Sequence, residues 1–147
     1  MRVMSCHEQT QYAPFFETVI RYLGGLLSAY ALSHDPILLS RADDLGTALL
    51  PAFGTLSGLP VYSVNTMSGE VGRGWSIHAP LSEALTCQVE YKYLAYLTGR
   101  KEYYNAAETI MDLVYKANVS GTNELLPVMW SLKEGTPMGR MSHLFST

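Results

Sequence analysis

The chain has 147 residues, 48% of them hydrophobic and 16% charged, enough for one domain with one core. Its formal net charge is -3 and its pI about 5.7, with no lysine or arginine cluster of the kind that marks a nucleic-acid or membrane surface. Two cysteines, Cys6 and Cys87, do not make a disulfide framework, and no apolar run is long enough for a membrane span.

The opening "MRVMSCHEQTQ" lacks the apolar stretch of a signal peptide. Helical spacing then predicts a first helix over Pro14–Ser33, with Phe16, Val19, Leu23, Leu26 and Tyr30 as its apolar stripe. Two adjacent glycines, Gly24 and Gly25, sit inside it, each costing about 1 kcal/mol against alanine. In "SHDP", Asp35 is a natural N-cap and Pro36 a natural first helical residue. They open a second helix to about Leu50 that buries Leu38, Ala42, Leu45 and Leu49.

From Gly54 to Ala79 the chain turns rich in Gly, Ser and Thr, with β-prone pieces such as "VYSVN". We expect a long connection holding a β-hairpin, a length uncommon in a compact domain unless it has a function. A third helix is expected from Pro80 to the stop at Gly99, burying Cys87, and a fourth over Lys101–Asn118. The tail, Gly121–Thr147, offers one strand-like piece, "LLPVMWSL", and then loses regularity.

"YALSHDPILLSRADDLG" and "AYLTGRKEYYNAAETIM" align with each other without a gap. Leu32 falls on Leu97, Ser33 on Thr98, Ala42 on Ala107 and Leu45 on Ile110, while Glu17 falls beside Glu83, one residue out of register. A repeat of helical hairpins means a solenoid, a bundle or a closed toroid.

Glu17 and Arg21 are spaced i, i+4, and Gly24 and Ser28 continue their side of the helix. That pattern fits a carboxylate held by an arginine before a cavity kept open by small residues. It fits equally an ordinary exposed ion pair, worth little, which spacing alone favours. Glu83 and Glu90, two helical turns apart, share a helix face that continues to Leu94 and Leu97. Paired acids on a partly apolar surface serve glycoside hydrolysis or metal binding, and a plain surface stripe reads the same. His7, His34, His78 and His143 have no ligand spacing and read as loop or surface residues. There is no G-x-S-x-G elbow, and Gly69–Gly74 does not follow the dinucleotide pattern. "NVS" at Asn118 is a glycosylation sequon, meaningful only in the secretory pathway.

"FETVIRYLGGLLSAY", "LGTALLPAFGTLSGLP", "SVNTMSGEV" and "SEALTCQVEYKYLAYLTGRKEYY" resemble, in order and spacing, glycoside hydrolase family 47, the class I α-1,2-mannosidases, and most of all its fungal members. The resemblance runs from Phe15 to Pro137 and implies an all-α fold, part of an (α/α)7 barrel with a small β-hairpin. It implies a Ca2+-dependent, inverting hydrolysis of α-1,2-linked mannose from high-mannose N-glycans, in the ER or Golgi or as a secreted enzyme. Glu17 matches the glutamate of "FE-x-x-IR", the proposed general acid acting through a water, and Arg21 the arginine that lines the pocket beside it. Glu83 and Glu90 match two glutamates that line the sugar pocket near the Ca2+, and Asn65 is expected to be structural.

On the same resemblance, residues 1–13 form an N-terminal segment, 14–137 the partial barrel and 138–147 a divergent tail. The family's later segment with its aspartate base has no counterpart in "RMSHLFST", nor has the Ca2+-binding threonine. The chain by itself is therefore expected to hold no metal ligand set, to be inactive, and to self-associate through exposed barrel edges. The alternative is a non-catalytic α-hairpin module that binds glycan or protein.

Overall fold

The computed structural model describes residues 12–72, 77–117 and 125–138. The sequon at Asn118, Cys6, His7, His143 and the tail from residue 139 lie outside the described residues.

The chain begins with strand β1 (Tyr12–Pro14), so Pro14 ends a strand where a helix start was expected. The first helix, α1, follows in three continuous stretches: α-helical Phe15–Thr18, π-helical Val19–Leu23 and α-helical Gly24–Ser33. It closes at His34 in the left-handed conformation (φ 56°). Asp35 Oδ1 accepts the Ile37 amide at 3.0 Å and caps α2 (Pro36–Leu49), as its position before Pro36 suggested. A 3-10 turn, Leu50–Phe53, leads into β2 (Ser63–Asn65) and β3 (Val71–Gly72).

The same order then recurs: β4 (His78–Pro80), α3 (Leu81–Leu85), α4 (Gln88–Thr98), α5 (Lys101–Lys116), β5 (Met129–Ser131) and β6 (Pro137–Met138). The single third helix expected from sequence is thus broken at Thr86 and Cys87, and the irregular tail contains a hairpin. One hairpin was expected. Two three-stranded antiparallel sheets are present, ordered β1-β2-β3 and β4-β5-β6.

The two halves match bond for bond in the register that sets Phe15 on Leu81. Phe15 and Leu81 donate their amides to the Tyr62 and Val128 carbonyls, both at 2.7 Å. The Gly69 and Gly135 amides reach Asn65 O at 2.8 Å and Ser131 O at 2.9 Å, and both glycines take the left-handed conformation that closes such a turn. Asn65 further accepts the amides of Met67 and Ser68 within that turn.

The π-helical turn changes which residues of α1 face inward. Spacing predicted a stripe through Phe16, Leu26 and Tyr30; the buried line is Phe15, Val19, Leu23 and Leu27. A regular helix would rotate such every-fourth positions by about 40° per step. A wider turn absorbs one residue and keeps them in line. In α2 the buried residues are Ala42, Gly46 and Leu49, with Leu38 and Leu45 half-buried. The core joins both halves through Phe15, Phe53, Tyr91 and Tyr103, whose rings meet at 5.1–6.2 Å between centroids. Tyr91 also donates its hydroxyl to Gly46 O at 3.1 Å.

Candidate active site

Both candidate clusters lie next to core anchors in the chain. Glu17 follows closely on the buried Phe15, and Glu90 immediately precedes the buried Tyr91. The aromatic contacts that fix Phe15 and Tyr91 therefore also fix the backbone from which the acids project.

On α1, Arg21 donates from Nε to Glu17 Oε2. The Glu17 side chain is 45% exposed and that of Arg21 67%. The bond to Glu17, and then its charge, raise the proton affinity of the Arg21 guanidinium. Glu83, at the equivalent position of the second half, has Cys87 one turn on in place of an arginine, and Cys87 is 1% exposed. Burial, and then the negative charge of Glu17, push the Glu83 carboxyl above its ordinary value. That second cause puts Glu17 and Glu83 within electrostatic reach of each other.

Glu90 packs against α1. A Cβ on Gly24 would lie 3.5 Å from Glu90 Oε1, an ordinary contact, so Gly24 faces the carboxylate. Its other oxygen, Oε2, is buried with no hydrogen-bond partner among the described residues, and burial raises the carboxyl's proton affinity. The break at Thr86–Cys87 means that Glu83 and Glu90 do not share one straight helix face, which corrects the two-turn expectation. Gly24 was expected to flank the Glu17–Arg21 pair; it faces Glu90 instead. Gly25, exposed and with nothing within 4 Å of where its Cβ would lie, is the open position.

A cleft of about 290 Å³ opens where the two sheets meet the helix starts, lined by Phe16, Tyr62, His78, Glu83 and Met129 among others. His78 is not a loop residue: it begins β4, pairs with Ser131 and is half-buried. Sequence periodicity had placed Phe16 in the core stripe, and no signal pointed to Tyr62. The register that sets Phe15 on Leu81 also pairs His78 with Tyr12 of β1, and could have placed His78 on a strand.

Among the described residues there is no group of three or more His, Cys, Asp or Glu side chains able to hold a metal ion. Ca2+ takes six to eight oxygen ligands, so these side chains do not form a Ca2+ site by themselves. Nor is any described helix long and apolar enough to cross a membrane.

The profile of glycosyl hydrolase family 47 matches residues 2–146. The chain is 35% identical over 144 residues to the endoplasmic reticulum mannosyl-oligosaccharide 1,2-alpha-mannosidase of Schizosaccharomyces pombe, covering 97% of this chain and 28% of that protein. It is 43% identical over 112 residues to the enzyme of that name from Saccharomyces cerevisiae, covering 70% of this chain and 20% of the relative. Among solved structures, the alpha-1,2-mannosidase from Trichoderma reesei superposes with a TM-score of 0.79 at 30% identity, over 91% of this chain and 30% of that one. The chain thus spans less than a third of the length of each of these proteins.

Proposed function

The chain belongs to glycosyl hydrolase family 47, and from that membership we propose that it carries one wall of a site that hydrolyses terminal α-1,2-linked mannose from high-mannose N-glycans. Its paired helices are hairpins of the (α/α)7 barrel of the alpha-1,2-mannosidases. The observation that carries the reading is the Glu17–Arg21 ion pair, with Glu83, at the equivalent position of the second half, lining the cleft.

Inverting hydrolysis needs an acid on the leaving oxygen and a base-activated water on the opposite face of the sugar. In the proposal Glu17 delivers the proton through a bridging water. Arg21 is the positioning residue: its guanidinium holds one carboxylate oxygen and leaves the other for that water. Glu83 and Glu90 accept sugar hydroxyls, and Glu90 Oε2 has an acceptor already desolvated for such a donor. The Ca2+ of the family would have to be held by ligands beyond the four residues named here. The relatives' names place them in the endoplasmic reticulum, and the proposal puts this site in the secretory pathway. Exposed Leu32, Val89 and Tyr96, at 87%, 75% and 82%, support self-association of the chain.

The test exchanges this chain for the aligned stretch of the Schizosaccharomyces pombe relative and measures mannose released from α-1,2-mannobiose. The exchanged enzyme should turn over, and Glu17→Gln should lower kcat by about 10²–10⁴-fold. Undiminished turnover by the Glu17→Gln variant refutes the assignment. Binding of the disaccharide without turnover favours a non-catalytic glycan-binding module.

A further inference from the structure

Two adjacent glycines in a helix interior call for a reason each. A Cβ at Gly24 would make only ordinary contact with Glu90, 3.5 Å from its Oε1, and Gly25 has not even that neighbour. Gly25 has a right-handed helical backbone, so it is not needed for φ, and apart from its chain neighbours and the backbone of its own helix no described atom lies within 4 Å of where its Cβ would stand. Nothing in the packing forbids a side chain there.

The π-helical turn decides where Gly25 points. In the register that sets Phe15 on Leu81 and Glu17 on Glu83, His34 would fall on Arg100. The left-handed cap equivalent to His34 is instead Gly99, one position earlier. The strand-to-helix junctions before Glu17 and Glu83 are equivalent, as are the caps, so the first half carries one surplus residue between them. Val19–Leu23 absorbs it, with the Gly24 amide reaching back to Val19 O, a π-type bond. In a regular helix Gly25, eight positions after Glu17, would point about 80° away from it. With one residue absorbed it is seven steps on, and points within about 20° of Glu17.

We propose that Gly25 is a specificity-determining position of this site: its missing side chain keeps open the strip of α1 beside Glu17 in which the α-mannoside lies. The inference rests on the mannoside-binding reading of Glu17. It adds that the room is made by one glycine, brought into phase with the acid by the π-helical turn. A side chain at Gly25 would occupy sugar space without touching the fold.

The experiment uses the 147-residue chain, 15N-labelled, titrated with α-1,2-mannobiose at millimolar concentration and read by amide chemical shifts. The wild type should shift at Glu17, Arg21 and Gly25. Gly25→Leu, at a position with free space and a better helix former, should fold at least as stably and lose those shifts. Gly25→Ala should weaken them. Wild-type binding that Gly25→Leu leaves unchanged overturns this inference and leaves the function standing. A wild type that shows no shift at Glu17 overturns both, and the far-ultraviolet spectrum of each variant reports that its helices are intact.

Discussion

Alanine at Gly46 and alanine at Gly25 make the same chemical change in two helix interiors and should have opposite effects on stability. The propensity gain is about 1 kcal/mol at each site. At Gly25 the new methyl meets nothing within 4 Å, so the gain should appear whole. That would raise the melting temperature by about 2–4 °C for a chain of this size. At Gly46 the methyl would overlap Leu94 Cδ2 and lie 3.5 Å from two Tyr103 ring carbons. Leu94 and Tyr103 are both fully buried, and Tyr91 donates to the Gly46 carbonyl, so neither the side chains nor the backbone can give way freely. Overpacking costs about 1–3 kcal/mol, which exceeds or cancels the propensity gain. The two variants should therefore differ by about 1–3 kcal/mol in urea unfolding followed by circular dichroism. Equal midpoints would refute the reasoning, because they would mean that α2 and α4 do not meet at Gly46. A destabilised Gly25→Ala would refute the claim that this position is open.

Three further substitutions test the electrostatics and the hydrogen bonds around Tyr103. Tyr103 donates to Asp43 Oδ1 at 2.5 Å and lies 2.8 Å from Thr47 Oγ1, and Arg100 Nη1 reaches the same Asp43 oxygen at 2.8 Å. Burial and the Asp43 bond push the Tyr103 hydroxyl to about 12, and burial pushes Tyr91 well above its ordinary value, so absorbance titration should show late-ionising tyrosines, one fewer of them in Tyr103→Phe, which also loses about 1–2 kcal/mol of stability. Glu83 holds its proton to higher pH in the folded chain than in the unfolded one, chiefly through burial. The folded state then binds more protons between the ordinary carboxylate value and the raised one, and stability falls as pH rises through that window. Glu83→Gln should remove this fall, gaining on the wild type at neutral pH and not below about pH 4. Glu17→Gln should lower the Glu83 value, read by carboxyl carbon shifts, because it deletes the second cause of the shift; an unmoved Glu83 would separate the two acids.

Much of the fold was legible because it depends on local rules. Asp35 before Pro36, Gly99 after a periodic run, and "SVNTMSG" between β-prone residues each specify a boundary close to themselves in the chain. The duplication was visible over the helices in the register that sets Leu32 on Leu97. The strands, too short to carry a pattern, showed it only through their hydrogen bonds, in the register that sets Phe15 on Leu81. Strand pairing is non-local: β1 is a short Tyr12–Pro14 segment, and only its distant partners in Ser63–Asn65 make it a strand.

By itself, the sequence carried the helical hairpins, their caps and the family likeness, and that likeness, not spacing, singled out Glu17, Arg21, Glu83 and Glu90 as candidates. Residue type and short spacing are enough for hairpins and caps, since a cap closes within one turn. The tertiary structure alone decided how the two glycines divide. Periodicity assumes a constant rise in angle, and the π-helical turn at Val19–Leu23 breaks it, turning Gly24 to Glu90 and Gly25 to the side of Glu17. It also decided that the Glu83 carboxyl is raised above its ordinary value, because proton affinity depends on burial and neighbouring charge, which exist only once the two halves pack.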